Sequence, residues 1–263
     1  MTGILFFLIS LLASTIGSIS GIGGGVIIKP VLDATGLLSV STISFLSGCT
    51  VLIMATVSLL RGRNNGVQVD KRHSTPLAVG GAIGGIVGKW VFDLIRQMVS
   101  EENLVGAVQA GLLLVITIGV IFYIRYKEKI HAMHVERLSI CFLIGLGLGM
   151  VSSFLGIGGG PINIAVLYFF FSMEAKTAAK NSLYVIWFSQ VASLLFSLAT
   201  RTVPDFSWLT LFVMGIGGVL GALIGSAVVK KMKNQAVERI FMGLMAVIVC
   251  INIYNLLRFL YVC

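Results

Sequence analysis

Eight apolar stretches, each close to the roughly 20 residues that a membrane-spanning helix needs, follow one another along the chain with only short polar gaps between them. They cover 2–19, 36–60, 74–92, 104–124, 138–155, 178–199, 208–229 and 237–260. Open sheet is excluded for segments this apolar, because hydrocarbon leaves edge N–H and C=O groups without partners. The chain therefore reads as an all-α, polytopic membrane protein whose first partner is the lipid bilayer. No gap is long enough for a separate soluble domain. Composition agrees: 57% of the 263 residues are hydrophobic and 11% charged, too few charges to cover a water-soluble globule. The N-terminus carries no basic residue ahead of its apolar run, so it is read as the first membrane helix rather than a cleaved signal.

The net charge of +9 would suit a nucleic-acid binder in a soluble protein. Here Lys and Arg concentrate in the gaps, where they orient a membrane protein, and nucleic acid is not an expected partner. Cys49, Cys141, Cys250 and Cys263 show no paired spacing, so no disulfide, zinc site or other cofactor follows from them. His131 and His134 lie three apart without a cysteine or carboxylate pair to complete a metal site. No histidine falls within a span, and an enzyme is not expected.

The chain also occurs twice. Gly21-Ile22-Gly23-Gly24-Gly25 returns in the second half as Gly156-Ile157-Gly158-Gly159-Gly160. A long helix precedes each copy, and a short apolar run, a Ser/Thr-bearing segment and another helix follow it. At the same offset Thr42 matches Thr177 and Ser47 matches Ser182. Two halves, 1–130 and 131–263, are expected, each with four long helices and a short segment begun by glycine. Matching gaps carry opposite charge: 61–73 holds Arg61, Arg63, Lys71 and Arg72, whereas its counterpart near 200–207 holds Arg201. Such reversal is what inverted repeats show.

Inversion needs an odd number of crossings per half. Residues 26–37 would be about 18 Å long as helix, short of a core of about 30 Å, but the extended glycine run adds up to about 16 Å. With five crossings per half, the side holding 61–73, 125–137 and 230–239 together with Lys176 and Lys180 collects 14 of the 19 Lys and Arg. The other side keeps Lys29, Lys89, Arg96, Arg201 and Arg258. That arrangement puts both termini outside. The competing arrangement has eight spans and two re-entrant segments.

Three adjacent glycines weaken a helix by about 1 kcal/mol each, and a helix begun after them aims free N–H groups and its positive dipole end backward. Two such breaks facing each other from inverted halves would make a midplane anion site of Gly21, Gly23, Gly24, Gly25, Gly156, Gly158, Gly159 and Gly160. The spaced rows Gly80, Gly84, Gly88 and Gly217, Gly221, Gly225 read instead as helix-packing surfaces. Lys29, within the first turn or so after the first break, either pairs with Asp33 at i,i+4 or attracts the anion. Asn163, Asn181 and Gln190 are amides available for interhelical bonds or substrate contact. Thr42, Ser47, Thr177 and Ser182 either line a path or bond to their own helix carbonyls.

At GIGGGVIIKPVL (21–32) and GIGGGPINIAVL (156–167), each followed by a Ser/Thr-bearing stretch, the chain resembles the sulfite exporter TauE/SafE family, also called toluene sulfonate uptake permeases. The similarity spans essentially the whole chain. It implies a multi-pass inner-membrane permease for small sulfur-containing anions such as sulfite or sulfonates. The copies differ in that Pro161 follows its glycines directly while Pro30 comes five residues after Gly25. An inside-negative potential favours anion exit by about 2.3 kcal/mol per charge per 100 mV, so export needs no coupling ion. An anion channel, a permease for another small solute and a non-transporting accessory subunit are the alternatives. Monomer and homodimer are both compatible with the sequence.

Overall fold

The computed structural model describes residues 2–62, 69–99 and 102–261; Arg63 and Cys263 fall outside them. Among the described residues there are ten α-helices and no strand: α1 (Thr2–Ser20), α2 (Gly25–Thr35), α3 (Val40–Gly62), α4 (Lys71–Met98), α5 (Glu102–Tyr126), α6 (Leu138–Phe154), α7 (Pro161–Phe171), α8 (Ala175–Ala199), α9 (Trp208–Lys231) and α10 (Asn234–Tyr261). Seven of them, α1, α3, α4, α5, α8, α9 and α10, are long and apolar enough to cross a bilayer. Their outer faces expose Phe122, Phe212, Leu220 and Val247, whereas the interior holds Ser10, Ser14, Ser47, Thr50 and Ser182. A bundle with greasy outer faces and hydroxyls inside suits lipid rather than water.

Two expected boundaries move. The second long helix begins at Val40, not Gly36, because Gly36 turns left-handed (φ 63°) and donates its N–H to the Asp33 carbonyl, closing α2. The helix expected over 138–155 ends at Phe154 after 17 residues, since the second glycine run unwinds the chain directly behind it.

Helix pairing follows the position of the small residues. α4 packs most extensively on α6 and α1 on α9, with α5 against α10 and α3 against α8. A Cβ on Gly80, Gly84 or Gly88 would overlap the carbonyls of Phe142, Leu146 or Met150, and one on Gly145 or Gly149 those of Leu77 or Gly81. Gly217, Gly221 and Gly225 lie equally close to Ser10, Leu11 and Thr15 on α1. With no hydrophobic drive between helices in lipid, close backbone approach is the main source of attraction.

The short helices α2 and α7 end with their carbonyls in use. Asn255 Nδ2 donates to Pro30 O at 2.8 Å and Arg258 Nη1 to Asp33 O at 2.6 Å, so α10 holds the end of α2. Met133 and Val135 donate their N–H groups to Phe169 O and Phe170 O at the end of α7. The loops sort to two ends of the bundle. One end joins Gly62 to Lys180, Asp70 to Asn181, Lys127 to Glu238 and Lys176 to Asn234. The other joins Thr42 to Asp205 and Asp33 to Arg258. The Lys/Arg-rich gaps thus share one end.

Gly84→Leu should destabilise the detergent-solubilised protein by about 1–3 kcal/mol or more, since its side chain has nowhere to go between α4 and α6. Gly119→Ala, with open space around it inside α5, should keep or slightly raise the melting temperature. Thermal unfolding of the two variants checks this.

Candidate functional site

The two glycine runs open alike and then diverge, with Gly24 right-handed (φ −63°) where its counterpart Gly159 has φ 157°. Gly21 and Gly156 have φ of 75° and 66°, and Gly23 and Gly158 of 86° and 69°, a region that side chains with a Cβ disfavour. The Gly21 N–H returns to Gly17 O at 2.9 Å and the Gly156 N–H to Ser153 O at 3.1 Å. Among the described residues, the N–H groups of Gly23, Gly24, Gly158 and Gly159 find no protein acceptor. Gly24 and Gly160 precede α2 and α7 without any side-chain cap. Each short helix therefore presents its positive end to the interior.

The turns meet each other at the centre of the bundle. A Cβ on Gly25 would overlap Ile157 O and crowd Ser47 Oγ, and one on Gly159 would crowd Ile22 O. Ile22 and Ile157 are fully buried there. The sequence placed an anion between the two helix starts; in this structure the turns touch at that point, and hollows open on either side.

The first cavity, about 60 Å³, is lined by Ser18, Ser58, Ala179, Lys180, Ser226 and Lys230, among others, with Gly21 packed directly on Ala179. Ser18 Oγ lies 2.8 Å from Ser58 Oγ and 3.3 Å from Ser226 Oγ, forming a hydroxyl cluster. The second cavity, about 30 Å³, is lined by Gly156, Ser44, Ser153, Gln190, Ser193 and Lys89, among others. The hydroxyls of Ser44 and Ser153 are buried there without a partner among the described residues. Ser18 matches Ser153, Ser58 matches Ser193 and Ser44 matches Ala179 at the same offset that relates the glycine motifs. The first cavity lies toward the end of the bundle that holds Gly62 and Lys176. The second lies toward the end where α4 and α8 finish.

The expected site residues divide into two groups. Around the turns lie the eight glycines, Ser47 and Ser182, both fully buried with unpartnered hydroxyls, and Gln190, which lines the second cavity and touches Gly158. Asn163 is buried in the first turn of α7 with its Oδ1 unpartnered. The others are engaged elsewhere. Lys29 Nζ is 2.9 Å from Asp33 Oδ2, both buried, so of its two possible roles the structure shows the i,i+4 pair. Thr42 Oγ1 donates to Asp205 O at 2.9 Å, tying α3 to the α8–α9 connection. Thr177 lends its carbonyl to Asn181 Nδ2, and Asn181 Oδ1 accepts from the Asp70 N–H (2.9 Å) and Ser74 Oγ (2.5 Å). Asn181 is thus an interhelical clamp on α4. Ser18, Ser58, Ser153, Ser193, Lys89 and Lys180 were missed, although the serine pairs repeat at the motif offset and were readable from it.

The clamp includes a titratable group outside the spans. Asp70 caps α4 by accepting from the Arg72 and His73 N–H groups, and its Oδ2 lies 2.6 Å from His73 Nδ1. Burial pushes the Asp70 carboxyl up. The hydrogen bond and charge of His73, with the two backbone N–H groups, outweigh that and hold it below its ordinary range.

A bundle of apolar helices interrupted at its centre by two unwound glycine runs is the architecture of a membrane transporter, in which irregular backbone at depth borders a solute path. The comparisons agree. The model for "Sulfite exporter TauE/SafE" matches residues 6–252, and the chain belongs to that family of membrane transporters. It is 21% identical to the probable membrane transporter protein YunE of Bacillus subtilis, covering 97% of this chain and 98% of the relative. It is 27% identical to the probable membrane transporter protein YfcA of Escherichia coli K12, covering 87% of this chain and 81% of the relative. No solved structure matches.

A carboxyl with a lowered pKa contributes stability that is present above the ordinary carboxylate range and lost as pH falls through the lowered value. Asp70→Ala should therefore cost about 1 kcal/mol near neutrality. The gap in melting temperature between variant and wild type should narrow below about pH 4. A constant gap across pH would show that the cap works without its charge.

Proposed function

We propose that the protein is an inner-membrane permease for small, sulfur-containing anions such as sulfite or sulfonates, that it favours export, and that it is not an enzyme. The observation that carries this reading is the pair of glycine turns back to back at the bundle centre, each bordering its own small hydroxyl- and lysine-bearing cavity toward opposite ends. Free N–H groups and positive helix ends at both turns suit a negative solute. Cavities of about 60 and 30 Å³ have the scale of a small ion with little of its water shell. Contact between the turns closes any continuous pore, which favours a carrier over a channel.

In this reading residues 1–130 and 131–263 are inverted repeats, and α2 and α7 complete a crossing with the glycine runs. The matched turns, the matched serines and the reciprocal pairing of α4 with α6 and α1 with α9 support it. The end that gathers Lys71, Lys127, Lys180 and Lys230 is then cytoplasmic, and both termini are external. An anion entering the first cavity meets the Ser18, Ser58 and Ser226 hydroxyls and the lysines. It passes the glycine turns as they part and leaves through the second cavity, driven outward by the membrane potential.

Proteoliposomes of purified protein should take up sulfite with saturation and counterflow, and Gly25→Ala should abolish that flux by wedging the turns apart at Ile157. Non-saturating flux without counterflow would replace the carrier with a channel. Single cysteines placed in 61–73 and 230–239 should both be labelled from the cytoplasm; labelling from opposite sides would overturn the inverted arrangement.

A further inference from the structure

The second cavity contains a cation whose counter-ion belongs to a different compartment. Lys89 lines that cavity beside Gly156, Ser153 and Gln190. Its Nζ is 2.8 Å from Asp93 Oδ1, one helical turn further along α4, and 4.7 Å from the centre of the Phe92 ring. Asp93 in turn lines a larger hollow of about 470 Å³, together with Arg96, Arg201 and Asp205, at the same end of the bundle. The ion pair therefore forms part of the wall between the small cavity and the outer vestibule.

The pair is half satisfied. Asp93 is buried, and its Oδ2 has no partner among the described residues. A buried carboxylate is costly when one of its oxygens goes unpaired, so a purely structural bridge is poorly served by this arrangement. On the cavity side, the Ser153 and Ser44 hydroxyls are also unpartnered and lie in the lining that Lys89 shares. Cation and hydroxyls thus border one cavity, with the cation paired to a carboxylate.

We propose that Lys89 is an anion-binding residue of the second cavity, that Asp93 is its displaceable counter-ion, and that their bridge is the gate between cavity and vestibule. The inference rests on the permease reading above. An arriving anion takes Lys89 from Asp93 and gains the two serine hydroxyls. The released carboxylate then faces the vestibule. The charged groups around the pair are Arg96 on α4 and Arg201 and Asp205 on the α8–α9 connection, while α3, α6 and α8 present Ser44, Ser153, Gln190 and Ser193. The first cavity is built differently. In the register that aligns Gly84 with Gly221 and Gly88 with Gly225, Lys89 and Asp93 are replaced by Ser226 and Lys230, which cannot form such a bridge.

The test uses sulfite and thiosulfate as probes, with binding to the purified full-length protein and flux in proteoliposomes. Lys89→Gln should weaken binding by about tenfold or more, the range expected for losing a charged hydrogen bond. Asp93→Asn should tighten binding, because the carboxylate that competes for Lys89 is gone. The exchanged double variant, Lys89→Asp with Asp93→Lys, keeps an i,i+4 pair and should keep the wild-type melting temperature while losing anion binding. Unchanged affinity in the exchanged variant, or in Lys89→Gln, would make the bridge structural only and overturn the inference while leaving the permease reading in place. Absence of binding and flux for both probes in the wild type would overturn the permease reading and this inference with it.

Discussion

Every backbone N–H and C=O in hydrocarbon needs a partner, and the whole architecture is shaped by how that demand is met where the chain unwinds. Eight glycines in two runs interrupt helices at the centre of the bundle. Each interruption survives because the other sits against it. Ile22 and Ile157 fill the space around the turns, and the carbonyls at the far ends of α2 and α7 are taken by α10 and by the 130–137 segment. The few N–H groups left over point into the interior. In the proposed permease, that remainder is what would favour a negatively charged solute.

Small residues make the surrounding scaffold possible. Glycines on α4, α6 and α9 let backbones come close enough for dispersion contacts to hold helices together without a hydrophobic drive. Buried serines do a second job. Ser10, Thr15 and Ser20 return their hydroxyls to carbonyls of their own helix. Ser44, Ser47, Ser153 and Ser182 hold theirs unpartnered near the turns. The contrast separates hydroxyls that serve their own helix from those without a protein partner among the described residues. Charge is handled in the same economical way, with Lys29 and Lys89 each paired to an aspartate one turn along.

Much of the fold was legible because apolar length and glycine adjacency act locally. An apolar stretch long enough to span the bilayer must be helical in lipid, and three glycines in a row must break a helix. Helix ends were less legible. Gly36 reads as the start of a long apolar run until its left-handed φ and its bond to Asp33 show it closing α2 instead. The repeat was an uneven guide to the candidate site residues. Ser47 and Ser182 stood out by their offset, but so did Thr42 and Thr177, and the second pair serves interhelical or local bonds. Asn181 carried the same chemistry as Gln190 in the sequence. Only the proximity of Asp70 to the one and Gly158 to the other assigns them different work.

Residue order alone dictates a helical membrane protein broken twice by glycine, because both properties follow from the transfer energy of side chains and the conformational freedom of single residues. Packing in three dimensions adds what residue order leaves open: the breaks touch, the hollows flank them, and Lys89 and Asp93 face different spaces across 2.8 Å. Those facts depend on which helices lie side by side. Nothing along a linear chain encodes that until distant glycines allow the helices to meet.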